Sequence, residues 1–227
     1  MNSYAPFSEI DEYCLVEGKS GLFYPGVRVE NISFPLTISA VRTAICSCLA
    51  NDDFPVSIFQ NEPVSELLEF WITEFQIKQV NKLPDSPDLY DPLITDDIDL
   101  VATLKNLTKS SVTPHSDFPV TALLETDKGY IAGVNIEVSA WSLGLCAERT
   151  AISRAITAGY GNKLLRMHIY APKADFISPC GSCRQVLADL MPRQQVILYH
   201  GNQTSSTHFV KDLLPHGFTS SSLKRKK

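Results

Sequence analysis

The sequence predicts an α/β protein made of two copies of one domain, each a mixed sheet covered by helices. Three observations predict it. First, residues 26–45 (GVRVENISFPLTISAVRTAI) align without a gap on residues 133–152 (GVNIEVSAWSLGLCAERTAI), with nine of twenty positions identical. The offset is a constant 107 residues, a period far above that of a solenoid unit, so the repeat is a domain. Second, in the second copy, short apolar runs of strand length alternate with stretches of helical periodicity, the pattern of helices laid over a sheet. Third, 227 residues suffice for two small domains, and a hydrophobic content of 44% is that of a chain with packed cores.

The elements follow in order. The first copy spans 1–82. Its Pro6-Phe7-Ser8 resembles Pro114-His115-Ser116 with a one-residue shift, and Pro63-Val64-Ser65-Glu66-Leu67 can be laid on Pro179-Cys180-Gly181-Ser182-Cys183. Residues 83–95, with Pro84, Pro87 and Pro92 among Asp85, Asp88 and Asp91, read as an exposed linker. The second copy occupies 96–218. A helix is expected over 97–107, with Asp96 and Asp97 as candidate N-caps and Ile98, Val101, Leu104 and Leu107 on one stripe. Residues 119–124 and 130–136 form a hairpin around Asp127-Lys128-Gly129. Residues 146–158 form a helix ended by Gly159, and 165–171 a strand. Residues 181–190 form a helix stopped before Pro192, and 195–199 a last strand. The first copy keeps this order but has no room for the first helix. Residues 219–227, serines followed by Lys224 to Lys227, read as a disordered basic tail.

Composition excludes whole classes of function. No apolar run approaches the ~20 residues of a membrane span. The segment from Met1 to Glu9 has neither the basic start nor the apolar block of a secretory signal, so a cytoplasmic protein with no membrane partner is expected. A net charge of −5 argues against a chain that grips nucleic acid through its phosphates.

Chemistry concentrates in the second copy. Cys180 and Cys183 form a C-x-x-C at a helix start, which places both sulfurs on one face of the first turn; alone, the pair reads equally as metal site, redox pair or coincidence. Cys146 opens a second helix. Three thiols at two helix N-termini suit a soft divalent cation, because the helix dipole favours thiolate. Three protein ligands leave a fourth position open, which is the catalytic rather than the structural zinc pattern. Glu148, two residues beyond Cys146, stands about 200° further round the helix, placed as a proton carrier rather than a ligand. Arg149 is suited to offset the thiolate charge by hydrogen bonds to the sulfurs. Cys14, Cys46 and Cys48 are expected as buried small apolar residues, and His168 and His200 as packed or surface histidines.

Cys146-Ala147-Glu148-Arg149-Thr150-Ala151 followed by Ser178-Pro179-Cys180-Gly181-Ser182-Cys183-Arg184-Gln185 resembles the zinc signature of the cytidine deaminase family, in its all-cysteine form. The likeness takes in Phe118-Pro119-Val120, Gly133-Val134-Asn135-Ile136-Glu137, Leu213-Leu214-Pro215 and Phe218. It covers residues 110–218 well and 4–68 more faintly. It implies tandem three-layer α/β/α domains and hydrolysis of cytidine and deoxycytidine to the uridines with release of ammonia, a reaction of pyrimidine salvage. The implied cofactor is Zn2+, held by Cys146, Cys180 and Cys183, with Glu148 shuttling the proton of the zinc-bound water. Asn135 and Glu137 would bond the ribose hydroxyl, Phe118 would pack on the nucleoside, and the backbones of Ala147 and Ser178 would meet the base. The chain departs from the family at Val138-Ser139-Ala140-Trp141-Ser142, where the first copy keeps the more typical Asn31-Ile32-Ser33-Phe34-Pro35. In the first copy Ser39 replaces the first Cys, Val41 the Glu and Arg28 the Asn, while Val64 and Leu67 replace the last two Cys, so that copy is read as inactive. By analogy with four-domain members, a homodimer is implied in which Phe34, Arg42 or Phe218 reaches a working site in trans. Two alternatives stand beside this: a deaminase of another amino-pyrimidine nucleoside or of nucleic acid, and a zinc-stabilised nucleoside-binding protein without catalysis.

Overall fold

In the computed structural model, residues 3–61, 67–95, 97–219 and 223 are described. The first half carries β1 (Tyr13–Gly18), β2 (Phe23–Val27), α1 (Ala40–Leu49), β3 (Pro55–Gln60), α2 (Leu68–Phe75) and β4 (Lys78–Gln79). Then come β5 (Leu93–Ile94), α3 (Leu100–Leu107), β6 (Thr121–Thr126), β7 (Tyr130–Val134), α4 (Ala147–Thr157) and β8 (Leu164–Tyr170). The chain continues with α5 (Gly181–Leu190), β9 (Gln195–Tyr199), β10 (Ser205–Phe209) and α6 (Val210–Leu213). Single 3-10 turns at Phe34–Leu36 and Trp141–Leu143 precede α1 and α4 at corresponding places.

The sheets are mixed and share one topology. The first runs β2-β1-β3-β4 and the second β10-β9-β8-β6-β7-β5. In each, a central antiparallel hairpin (β1–β2, β6–β7) continues through an antiparallel strand (β3, β8) into a parallel one (β4, β9). Alternation along β6 decides the layers. Ala122 and Leu124 face the cluster that includes Ala151, Ile152 and Ala155 of α4, while Leu123 faces Leu104 of α3. The second sheet therefore lies between helices on both faces.

Gly26 and Gly133, 107 residues apart, let α1 and α4 close onto their sheets. A Cβ on Gly133 would stand 2.2 Å from the Ala147 carbonyl oxygen and 2.5 Å from the Ala151 nitrogen, and one on Gly26 would meet Ala40 and Ala44 at the same two distances. Backbone atoms of a helix cannot yield as a side-chain tip can. Gly133→Ala is expected to destabilise the protein by about 3 kcal/mol or more, read as a lower midpoint of chemical unfolding.

Several expected elements shift. The first helix of the second half begins at Leu100, and its cap is Asp99, whose carboxylate accepts from the N–H groups of Val101 and Ala102, both at 3.0 Å. Asp97 therefore does not cap it, and Asp96 lies outside the described residues. β10 and α6 are additional. The 83–95 segment is tied down over residues 88–94: Phe23 N–H donates to Asp88 O, Tyr90 N–H donates to Phe23 O, and β5 pairs with β7. The proposed tail 219–227 falls almost wholly outside the described residues, as does Val64. Leu67 caps α2, the position that Cys180 holds on α5, so by cap position it matches Cys180 rather than Cys183.

The two halves pack α1 against α4. Arg154 Nε donates to Ser47 Oγ at 3.0 Å, its Nη2 to Ser47 O at 2.5 Å and its Nη1 to Ala132 O at 2.8 Å. Ser47 and Arg154 are themselves 107 residues apart, so this contact joins corresponding positions of the two halves. Away from it the exchange is reciprocal: Arg42 Nη2 donates to the Gly144 and Ser142 carbonyls, while Arg149 Nη2 donates to Leu36 O at 2.9 Å. Among the described residues no helix is long and apolar enough to cross a membrane.

Candidate active site

Cys146 is the N-cap of α4 and Cys180 the N-cap of α5, so two helix N-termini converge on one point. The sulfurs of Cys146, Cys180 and Cys183 all lie within 4.8 Å of one another, and those of Cys146 and Cys180 are 3.7 Å apart. Cys183 is buried, Cys146 half-buried and Cys180 exposed. Hydrogen bonds with Cys146 and then Cys183 pull the Cys180 thiol down, while contacts with Cys146 and then Cys180 push the Cys183 thiol up. Three thiols this close cannot all ionise without a cation among them. The donor set thus fits a soft divalent ion with an all-sulfur protein shell. By contrast Cys14, Cys46 and Cys48 are fully buried core residues, as expected.

Glu148 is 4% exposed. Burial pushes its carboxyl up to about 7; its own backbone N–H opposes the rise and Cys180 adds to it. Arg149, expected to reach the sulfurs, instead spends Nη2 on Leu36 of the first half, and its buried Nε has no hydrogen-bond partner among the described residues. Arg42 lies close enough that burial, then Arg149, lowers its pKa to about 10. The first half thus touches the approach to Cys146 within one chain, through Arg42 on the Ser142 and Gly144 carbonyls, without any second copy.

A cavity of about 320 Å³ opens beside these groups, inside the size range of ligand sites. It brings together Phe118, Asn135, Cys146, Ala147, Glu148, Ser178 and Cys180 from the expected set. Glu137 does not line it. Its carboxylate grips the loop carrying Phe118, accepting from the N–H groups of His115 (2.9 Å) and Ser116 (3.1 Å) and from the Ser116 hydroxyl. Glu30 makes the same three bonds to Phe7 and Ser8. Asn135 Oδ1 accepts from Val120 N–H at 2.8 Å and its Nδ2 donates to Phe118 O at 2.9 Å, which leaves one amide hydrogen for the cavity. Phe218 is half-exposed; its carbonyl accepts from Gln185 Nε2 at 2.5 Å.

Sequence reasoning gave no role to the rest of the cavity's wall: Val120, Ile169, Ala171, Ala174, Phe176 and Ile177. Ile169 lies on β8 and its period-2 pattern was legible; Ala174 to Ile177 lie in a loop with no periodic signal, marked only by an aromatic before the Ser178-Pro179-Cys180 run. Arg184 was also unassigned. Its Nη2 donates to Ser178 Oγ at 2.7 Å and its Nε to Pro179 O at 2.8 Å, which fixes the approach to α5.

The corresponding place in the first half is filled. Glu12 Oε1 accepts from Ala40 N–H at 3.1 Å and from Gln60 Nε2 at 3.0 Å, and Arg28 bridges Glu12 (3.5 Å) and Glu30 (2.9 Å). Ala40 and Arg28 are the counterparts of Ala147 and Asn135, so an internal ion pair stands where the second half has its cavity. A larger recess of about 600 Å³, near Tyr4, the end of α4 and Asp189, is lined by no cysteine or histidine.

The model of the cytidine and deoxycytidylate deaminase zinc-binding region matches residues 94–199. The cytidine deaminase of Mycoplasma genitalium is 33% identical over 124 residues, 54% of this chain and 95% of that protein. The cytidine deaminase of Halalkalibacterium halodurans is 38% identical over 109 residues, 47% of this chain and 81% of that protein. Among solved structures, the cytidine deaminase of Burkholderia pseudomallei is similar with a TM-score of 0.50 and 34% identity, over 52% of this chain and 96% of that one.

Proposed function

This chain belongs to the cytidine deaminase family, and from that membership we propose that its second half hydrolyses cytidine and deoxycytidine to the uridines, releasing ammonia. The observation that carries the reading is the meeting of three sulfurs and a buried glutamate at one end of a nucleoside-sized cavity. Cys146, Cys180 and Cys183 hold the zinc, which supplies a Lewis acid and a more acidic water. Glu148 takes one proton from the attacking water and gives it to the ring nitrogen N3, then takes the second from the hydroxyl formed at C4 and gives it to the departing exocyclic amine. Water adds at C4, the C4–N bond breaks, and the products are uridine and ammonia. The backbones of Ala147 and Ser178 meet the base, Phe118 packs on the nucleoside, and Asn135 offers its remaining amide hydrogen to the sugar. Glu137 serves by stationing the loop that carries Phe118. A site with polar groups placed for the sugar discriminates against the free base.

The first half is a scaffold whose own site is closed by Glu12 and Arg28. Phe34 is 83% exposed and Trp141 65%, on corresponding turns of the two halves. This pair of aromatics supports a homodimer of four domains, with Phe34 and Phe218 as the residues a partner copy meets. The net charge of −5 supports a small-molecule substrate rather than nucleic acid. The test is ammonia release from cytidine and deoxycytidine with zinc assayed in parallel and the mass taken by light scattering. Turnover is expected with one zinc per chain, in a particle of twice 25.2 kDa. A zinc-loaded chain inert on both nucleosides overturns the reading.

A further inference from the structure

One wall of the cavity has no secondary structure of its own. Residues 172–178 contribute Ala174, Phe176, Ile177 and Ser178 to the lining, with neither helix nor strand to hold them. What holds them is the turn between β9 and β10. Gly201 N–H donates to Ala174 O at 2.8 Å. The approach is so close that a Cβ on Gly201 would stand 2.4 Å from Pro172 O and 2.8 Å from Ala174 O. Beside it, His200 Nδ1 accepts from Ile177 N–H at 3.1 Å, and the imidazole stacks on the Phe176 ring with centroids 5.0 Å apart and planes at 25°. His200 is 5% exposed, whereas Phe176, on the open side of the wall, is 67% exposed.

These partners fix the tautomer. A backbone N–H can only donate, so Nδ1 carries no proton. The ring proton is then on Nε2, which lies 3.0 Å from Ser206 Oγ and donates to it. The ring is thereby held from both nitrogens and one face, and it fixes the one backbone N–H that sits between Phe176 and Ser178. A neutral imidazole in this place has no part in the zinc set or the proton transfer, since Glu148 and the three cysteines stand on or at the caps of α4 and α5.

We propose that His200 is a positioning residue for the substrate wall: through Nδ1 on Ile177 N–H and its stack on Phe176, it holds Phe176, Ile177 and Ser178 in the place that receives the nucleoside. The proposal rests on the deaminase reading for its substrate. Its effect falls on binding. A wall that adopts the receiving position only part of the time lowers the apparent affinity by that fraction, while the groups that carry the chemistry keep their places.

The experiment compares wild type, His200→Leu and His200→Asn in the zinc-loaded full chain. Leucine removes the acceptor and leaves Ile177 N–H unpartnered, whereas asparagine returns an acceptor oxygen near the position of Nδ1. Three quantities are read: amide exchange of Ile177, kcat and KM for cytidine, and zinc content. For His200→Leu, KM is expected to rise about tenfold with kcat within about twofold, in line with a reduced fraction of competent wall. Ile177 exchange speeds up and zinc is unchanged. His200→Asn is expected to restore both the protection of Ile177 and KM. An unchanged KM in the leucine variant overturns the proposal, as does a leucine-like KM in the asparagine variant. Should the leucine variant not fold, Ser206→Ala, which removes the hydroxyl that accepts from His200 Nε2–H and that also lies 2.9 Å from His208 Nε2, is the milder test: it is expected to raise KM and speed Ile177 exchange, and no change in either overturns the proposal. A wild type inert on cytidine removes the deaminase reading alone, because Ile177 exchange in the same variants still decides whether His200 holds the wall.

Discussion

Glu148→Gln is expected to retain its zinc and lose ammonia release by about 10²–10⁴-fold, the usual contribution of a positioned acid–base group. Glutamine keeps the size and shape of the side chain and its place in the first turn of α4, so the packing around it, with Ala147, Arg149 and Thr150 all buried, is undisturbed. It removes only the capacity to take and return a proton. Because the three sulfurs converge without Glu148, zinc stoichiometry should match that of the wild type, and cytidine should still bind. Single-turnover and steady-state ammonia release, with zinc measured on the same samples, check this. A variant that keeps more than a tenth of wild-type kcat moves the proton transfer to another group, and one that loses zinc makes Glu148 part of the metal shell.

The second large effect is expected from removing the first half. A chain beginning at residue 91 should fail to give a monomer that unfolds cooperatively, as read by circular dichroism melting and light scattering. Val134, Ile136, Val138 and Leu145 belong to the second half in sequence, yet they pack in the core cluster formed by the first. Each carries about 1.5–3 kcal/mol of burial, and a domain of this size is stable by only about 5–15 kcal/mol. The polar side of the interface is as exposed to loss. Arg154, 3% exposed, would give up both bonds to Ser47 and the Tyr90 ring that lies 5.4 Å from its guanidinium. Arg149 would lose Leu36 O, and Asp189 would lose Ile32 N–H and Asn31 Nδ2. Arg154 would keep only its Nη1 bond to Ala132 O, and an apolar face built to be covered would meet water. A truncated chain that is monomeric and melts near the temperature of the whole protein shows that the first half is dispensable for stability.

The chemistry of this protein is local in sequence, and that is why it was legible there. Cys146 and Glu148 share one helix start, Cys180 and Cys183 another, and the geometry of a first turn is fixed by backbone hydrogen bonding alone. Helix 181–190 and strand 195–199 carry their own punctuation, with cysteine at the cap, Pro192 after the helix and an apolar run, and both appear with the expected bounds. The 107-residue repeat is likewise a property of the string of residues, and Gly26 and Gly133 show its physical cause in their identical approach to a helix backbone.

What tertiary structure decided is every partnership between residues distant in sequence. Three aspartates near residue 97 look alike as caps, and only the path of the chain selects Asp99. β10 has no apolar alternation and exists because β9 offers it an edge. Arg149 reads as a cation beside the three thiols and Arg42 as a residue reaching a working site in trans, but packing between the halves turns each toward a carbonyl of the other half. The wall from Ala174 to Ile177 and the His200 beneath it carry no pattern in the sequence, since a loop without periodicity takes its position from whatever long-range contacts close on it. The sequence by itself determined which atoms can bind zinc and move a proton, because those lie within single helical turns; tertiary structure alone decided what surrounds them, because that depends on contacts between segments from 23 to 113 residues apart.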